Sequence, residues 1–402
     1  MFAASTQFFI MSPLLPQISR QYCVDKELLG LLIGAYSLSL GVSALFSGFV
    51  SDQIGRRKVL LIGSFFMGLM LLLHALAFDF YSLLTLRFLT GVAGGLLTGS
   101  CIAYIRDFFP FQFRARANGL VLTGSALGQI LGVPIAVILG EAFGIQSPFF
   151  VLGIIMMATH LLILRVLREP IDRKEGVPQI ATQQVIKEYK SLITQPFYQK
   201  AAYGYMLMFF SLSAYLVYFP QWLEQIKGAK PVDIAFAFSL GGIGALLAGP
   251  VGGYLSDKAG RKPVILAANL SLAGIMGLSL FSPLDVYWAS ATFAVFMFLM
   301  SARSVAFQSF ISDSTCDLNR GKGLNLMIAI GQVGMILGAV LAGPVYANWG
   351  FQFNAIIAGV FSIGMAVLVS TKWPLASTIT IQESEQSSNE TNVQLKPATS
   401  LK

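Results

Sequence analysis

Gly48-Phe-Val-Ser-Asp52-Gln-Ile-Gly55-Arg56-Arg57-Lys58 is the stretch whose reading decides the fold. It recurs as Gly253-Tyr-Leu-Ser-Asp257-Lys-Ala-Gly260-Arg261-Lys262-Pro263, 205 positions on (52 against 257), about half of the 402-residue chain. Each copy closes one apolar stretch and opens the next. That places it on a tight loop between two membrane-spanning helices. The small residues allow close helix approach, Gly permits the turn, and the Arg/Lys cluster holds the loop on one membrane side.

The composition agrees. A soluble chain carries about a quarter charged residues; here the share is 11%, against 55% hydrophobic residues and a mean hydropathy of +0.71. This is a polytopic membrane protein. The +8 net charge does not point to nucleic acid, because the basic residues lie in short loops between apolar spans, as the positive-inside rule requires. Cys23, Cys101 and Cys316 fall in an outer loop, a helix and an inner loop, so they neither pair nor show metal-ligand spacing. No cofactor is expected. A cleavable leader is not expected either, since the first span begins at Met1; that span is short, which leaves the true start open.

Twelve apolar spans of about 20 residues can be read: 1–19, 30–51, 58–77, 82–105, 117–140, 147–168, 199–220, 234–255, 263–282, 285–310, 322–346 and 351–371. One set of connections holds Arg56, Arg57, Lys58, Arg106, Arg114, Arg116, the 165–200 segment, Lys258, Arg261, Lys262, Arg320 and Lys322. The other holds Arg20, Lys26, Lys227 and Lys230, each near an acidic residue. The first set is expected in the cytoplasm, together with both termini. Residues 169–198 form a polar connection in which Val185, Tyr189 and Leu192 oppose Lys187 and Lys190, the pattern of an amphipathic helix on the inner membrane surface. Residues 372–402 read as a disordered cytoplasmic tail, whose Asn389-Glu-Thr glycosylation match is put down to chance.

The repeat extends beyond the loops. Pro16-Gln17 corresponds to Pro220-Gln221, Asp107 to Asp313, Gly119-Leu120 to Gly323-Leu324, and Gly128-Gln129 to Gly331-Gln332. The expected fold is an all-α membrane protein of two pseudo-symmetric six-helix halves, 1–168 and 199–371, with a site between them at mid-membrane.

Four features resemble the major facilitator superfamily, and within it the twelve-helix drug and metabolite proton antiporters. They are the repeated loop; Arg87 with Gly91, Gly94 and Gly95; Gly124-x-x-x-Gly128-x-x-x-Gly132-Val-Pro134 in the fifth span; and Leu15-Pro16-Gln17-Ile18 at the end of the first. The resemblance covers residues 1–371 and implies alternating-access transport with protons as coupling ion. One departure stands out. Many proton-coupled relatives carry Asp or Glu in the first helix, where this chain has Thr6-Gln7. No carboxylate lies deep in any span, so proton coupling rests on the resemblance alone.

The loop residues Gly48, Asp52, Gly55, Arg56, Arg57, Asp107 and their counterparts Gly253, Asp257, Gly260, Arg261, Asp313 are candidate gating elements. Asp107 is in reach of Arg56 or Arg57, and Asp313 of Arg261. Such pairs are expected to favour the outward-open state and break when the cytoplasmic side opens. Static topology is the plainer alternative. Arg87 and Arg303 are cations at membrane depth, where an unpartnered charge costs at least a few kcal/mol. Together they imply a cavity for anionic or strongly polar groups. Gln129, Gln332 and Tyr36 are further candidates for substrate or coupling. Gly124, Gly128, Gly132 and Pro134 are assigned to helix packing with a kink. His74 and His160 read as core residues.

The expected function is a secondary active transporter in the bacterial inner membrane, acting as a monomer and exporting small organic molecules in exchange for protons. The alternatives are an importer or uniporter of a sugar derivative or organic anion, and, in another class, a receptor that kept the fold and lost transport. No nucleophile–base pair or phosphate loop indicates an enzyme or an ATP-driven pump.

Overall fold

The computed structural model describes residues 1–168, 182–278, 285–315 and 317–374, and every element among them is helical. Twelve passes are present. The first is broken into Phe2–Phe9 and Met11–Tyr22; then come Gly30–Ile54, Arg56–Leu73 and Phe80–Phe108. The fifth is Phe111–Leu127, a π-helical turn Gly128–Gly132, and Val133–Phe143, followed by Ser147–Val166. The second half repeats the order with Pro196–Leu216 continued by Phe219–Lys227, then Pro231–Ala259, Arg261–Leu278, Val286–Asp313, Asp317–Trp349 and Phe351–Ser370. Ten of these passes are long and apolar enough to cross a membrane by themselves. The other two are the first, split into pieces of 8 and 12 residues, and the ninth, described over 18 residues.

Several helices outrun the apolar windows that predict them. The fourth gains two residues at its start because Asp79 caps it: the Asp79 carboxylate accepts from the Ser82 amide at 2.8 Å. The Ser82 hydroxyl, and then its amide, hold the Asp79 carboxyl below its usual range. The ends follow a rule the loops only half reveal. Gly55, Gly144, Gly260 and Gly350 close the second, fifth, eighth and eleventh passes with φ of 105°, 87°, 89° and 82°. A side chain there would be strained, so each glycine turns the chain directly into the next pass.

The first and seventh passes bend at their prolines. Pro220 has no N–H to give the Leu216 carbonyl, and the seventh pass breaks there. The linker helix is Thr182–Ile193, with Lys187 and Lys190 exposed and Leu192 buried, as its periodicity predicts. It rests on protein as well: Leu192 packs with Phe197 and Tyr198 of the seventh pass, the Tyr189 hydroxyl donates to the Leu45 carbonyl at 3.1 Å, and Lys322 pairs with Glu188 at 2.6 Å. The side chain of Val185, the residues 169–181, Cys316 and the tail beyond 374, with Asn389, lie outside the described residues.

Candidate functional site

Both halves build the same device at the face carrying the basic loops. In the first, Arg56 pairs with Asp52 one turn earlier, and its Nε donates to Asp107 at 2.8 Å. In the second, Arg261 pairs with Asp257 at 2.7 Å and with Asp313 at 3.3 Å. Arg56 also reaches the Ser51 hydroxyl and the Gly48 carbonyl, whereas Arg57 turns away to the Leu164 carbonyl at 2.8 Å. The first copy is the more enclosed, with the Arg56 side chain 9% exposed against 28% for Arg261.

At the opposite, far face the two halves hold each other. Arg20 pairs with Glu224, Lys26 donates to Gln225 at 3.1 Å, and the Tyr218 hydroxyl donates to the Lys26 carbonyl at 2.6 Å while accepting from the Gly30 amide. Deeper in, the Ser12 hydroxyl donates to the Leu216 carbonyl at 2.8 Å, the very group that Pro220 leaves without a helical donor. A matching bond runs the other way. Pro134 has no N–H to give the Ile130 carbonyl inside the π-turn, and Ser239 of the eighth pass donates to it at 3.2 Å. The two halves are thus bonded across the far face while both Arg–Asp devices are formed. Each pair lies inside one half, so parting the halves need not break it.

Arg87 and Arg303 are both buried, yet they do not share a cavity. Arg87 lies beside the first and second passes. Its guanidinium donates to the side-chain oxygen of Gln7 at 2.9 Å and to the Gln7 carbonyl at 3.2 Å, and sits 4.8 Å from the centre of the Tyr36 ring. The Gln7 amide group donates to the Tyr36 hydroxyl at 2.7 Å, and the Arg87 Nε has no partner among the described residues. Gly91 and Gly94 make room: a side chain at either would run into Tyr36. Arg303 is clamped inside the second half by the Asn269 side chain at 2.9 Å, the Ser362 hydroxyl at 3.5 Å, the Met208 carbonyl at 3.0 Å and the Met300 sulfur at 2.9 Å. Those groups come from four passes of the same half, so the joint anion cavity expected from the two arginines is not what the structure brings together. Among the described residues neither arginine meets a carboxylate.

The two glutamines also part company. Gln129 lies in the π-turn, on the seam where the fifth pass meets the eighth; Gln332 lies on the seam between the eleventh and second passes, against Gly41. Of the packing glycines, Gly128 and Gly132 lie tight on Thr6, whose hydroxyl donates to the Gly128 carbonyl at 3.0 Å, whereas Gly124 meets only residues 1 and 2, at 3.7 Å or more. His74 is buried, 2.7 Å from the Met70 carbonyl and stacked on Phe149; His160 lies 3.1 Å from the Ser64 hydroxyl. Both are packing residues. The sequence reading passed over Gln7 as a site residue, and with it Ser12, Ser239 and Asn269. Its one available signal was a polar residue in an apolar span, or a serine facing a position four before a proline.

Two repeated six-helix halves meeting at a bonded far face, with a buried cation set beside the seam, define a membrane transporter rather than an enzyme. The chain belongs to the Major Facilitator Superfamily, whose sequence profile matches residues 1–315 and 201–397. Multidrug resistance protein MdtG of Proteus mirabilis (strain HI4320) is 26% identical over 367 residues, covering 87% of this chain and 88% of that protein. The hexuronate transporter of Bacillus subtilis (strain 168) is 26% identical over 376 residues, covering 88% and 87%. The crystal structure of a D-xylose-proton symporter superposes with a TM-score of 0.74 at 19% identity, over 94% of this chain and 96% of that one, which is a likeness of fold.

Proposed function

We propose that the chain is a secondary transporter of small organic anions, working by alternating access, with Arg87 as the cation the anion meets. The observation that carries this is the chemistry around Arg87. A guanidinium at membrane depth is held by one neutral amide, one carbonyl and an aromatic face, with no carboxylate among the described residues to neutralise it. Such a charge is costly unless an anion completes it. Gln7 and Tyr36 orient the guanidinium without discharging it. The hexuronate transporter, by its name a carrier of an organic anion, is among the relatives. The unit is proposed to act as a monomer in a bacterial inner membrane, with the basic face and both termini cytoplasmic. Its halves are 1–168 and 199–371, joined by 169–198, and 372–402 form a tail.

Uptake of a panel of sugar acids, aromatic acids and cationic drugs into proteoliposomes tests the reading. Anions are expected to be carried, and Arg87→Ala to lower their transport by roughly 10- to 100-fold, the scale of one lost charge-assisted hydrogen bond, in protein that still inserts. Equal anion transport by Arg87→Ala, or no anion carried by the parent, overturns it. A second reading, proton-coupled export of drugs, is favoured by the tight packing of Gly128 and Gly132 on Thr6 and by the likeness to MdtG. It predicts drug transport that survives Arg87→Ala and moves protons.

A further inference from the structure

Away from Arg87, the seam between the second and eleventh passes holds an apolar crevice of about 150 Å³. Its walls include Leu38, Val42, Leu326, Ala329 and Val333, with Gln332 as the polar residue among them. Gly41 leaves the space for Gln332, since a Cβ there would stand 3.0 Å from the Gln332 Cβ. Three lining residues, Leu38, Val42 and Val333, also belong to the exposed apolar belt of the molecule, so the crevice opens sideways to the bilayer rather than along the transport axis. Gln332 itself is 6% exposed, and no group among the described residues donates to its side-chain oxygen. A buried amide oxygen left so costs roughly 1–3 kcal/mol; it lies just behind the apolar wall, and a turn of the Gln332 side chain toward the crevice brings it to a donor.

We propose that this crevice is a lateral binding site for a neutral, single-ring aromatic molecule dissolved in the bilayer and carrying one hydroxyl or amine donor. The volume sets the size, because an apolar cavity of about 150 Å³ stays dry and accepts a benzene-sized group. The walls set the polarity. Gln332 sets the orientation, its oxygen accepting the ligand's O–H or N–H while the ring lies among Leu38, Val42, Leu326 and Ala329. The route in is from the membrane, past Val42 and Val333, so the ligand arrives without crossing water. This site does not depend on the anion reading of Arg87, and the linker helix closes its basic end through the Tyr189–Leu45 bond.

The test is photolabelling of the full-length protein in proteoliposomes with a small phenol bearing an alkyl diazirine, beside the same probe lacking the hydroxyl. Peptide mapping should place the label on residues 38–45 and 326–336, with the phenol about five-fold ahead of its hydroxyl-free analogue, the worth of one neutral hydrogen bond. Gln332→Leu should bring that ratio to about one, Val333→Phe should abolish labelling by both probes, and Arg87→Ala should leave it intact. Equal labelling by the two probes in the parent overturns the proposal. So does label spread evenly over lipid-facing positions such as Leu120, Leu162 and Val360.

Discussion

The two halves place an arginine at depth in the fourth and the tenth passes and treat it in opposite ways. Arg303 is a rivet. Four neutral groups from the seventh, ninth, tenth and twelfth passes enclose it, and all belong to its own half. Arg87 leans instead on the first and second passes, through Gln7 and the Tyr36 ring. The partners of both arginines belong to their own half, but Arg303 is held by groups from four passes and Arg87 by one residue and a ring. Burial and residue type alone do not distinguish the two arginines; the number of passes that bond each one does.

The strongest challenge to that contrast is to exchange the outcomes. Arg303→Met should cost several kcal/mol of stability, since it removes the bonds to Asn269, Ser362, the Met208 carbonyl and the Met300 sulfur, leaving the Asn269 side-chain oxygen only the Ser362 hydroxyl. It should show as a large drop in the thermal unfolding temperature in detergent. Unchanged stability with altered substrate preference would make Arg303 the working cation instead. Gln7→Glu is the next test. A carboxylate at that position would sit on Arg87 and neutralise it, so anion transport should fall at least ten-fold while stability stays level or rises. Unimpaired anion transport would separate the substrate from Arg87. The smallest expected difference lies in the loops: Arg56→Ala should destabilise by about 1–2 kcal/mol and Arg261→Ala by well under about 1 kcal/mol, because the second pair is more exposed and better screened. Equal losses would mean that enclosure does not rank the two copies.

Much of this was legible beforehand for physical reasons. A doubled Asp-x-x-Gly-Arg loop and twelve apolar stretches leave few architectures, so the passes, the turns at Gly55 and Gly260, and the Arg56–Asp107 and Arg261–Asp313 pairs follow from residue type and spacing. The rest depended on which way side chains point. Gln7 in sequence is the absence of a carboxylate; in space it is the ligand of Arg87. Arg87 and Arg303 read alike in sequence because depth is one-dimensional, and only packing shows that their neighbours belong to different kinds of set. Gln129 and Gln332 match in the repeat, yet repeat symmetry sends them to opposite seams. The glycines at 144 and 350 went unread because the basic cluster that marks the other two turns is missing there.

The serines opposite Pro220 and Pro134 have a consequence for how readily the far face can part. Each bond joins a hydroxyl to a carbonyl that its own helix has no means to use. When the seam separates, no helical hydrogen bond is lost, and water entering the gap can serve donor and acceptor alike. The exchange is then close to neutral in energy and leaves the backbone where it was. Such a clasp can open and reseal once in every transport cycle without wearing down the fold that carries it.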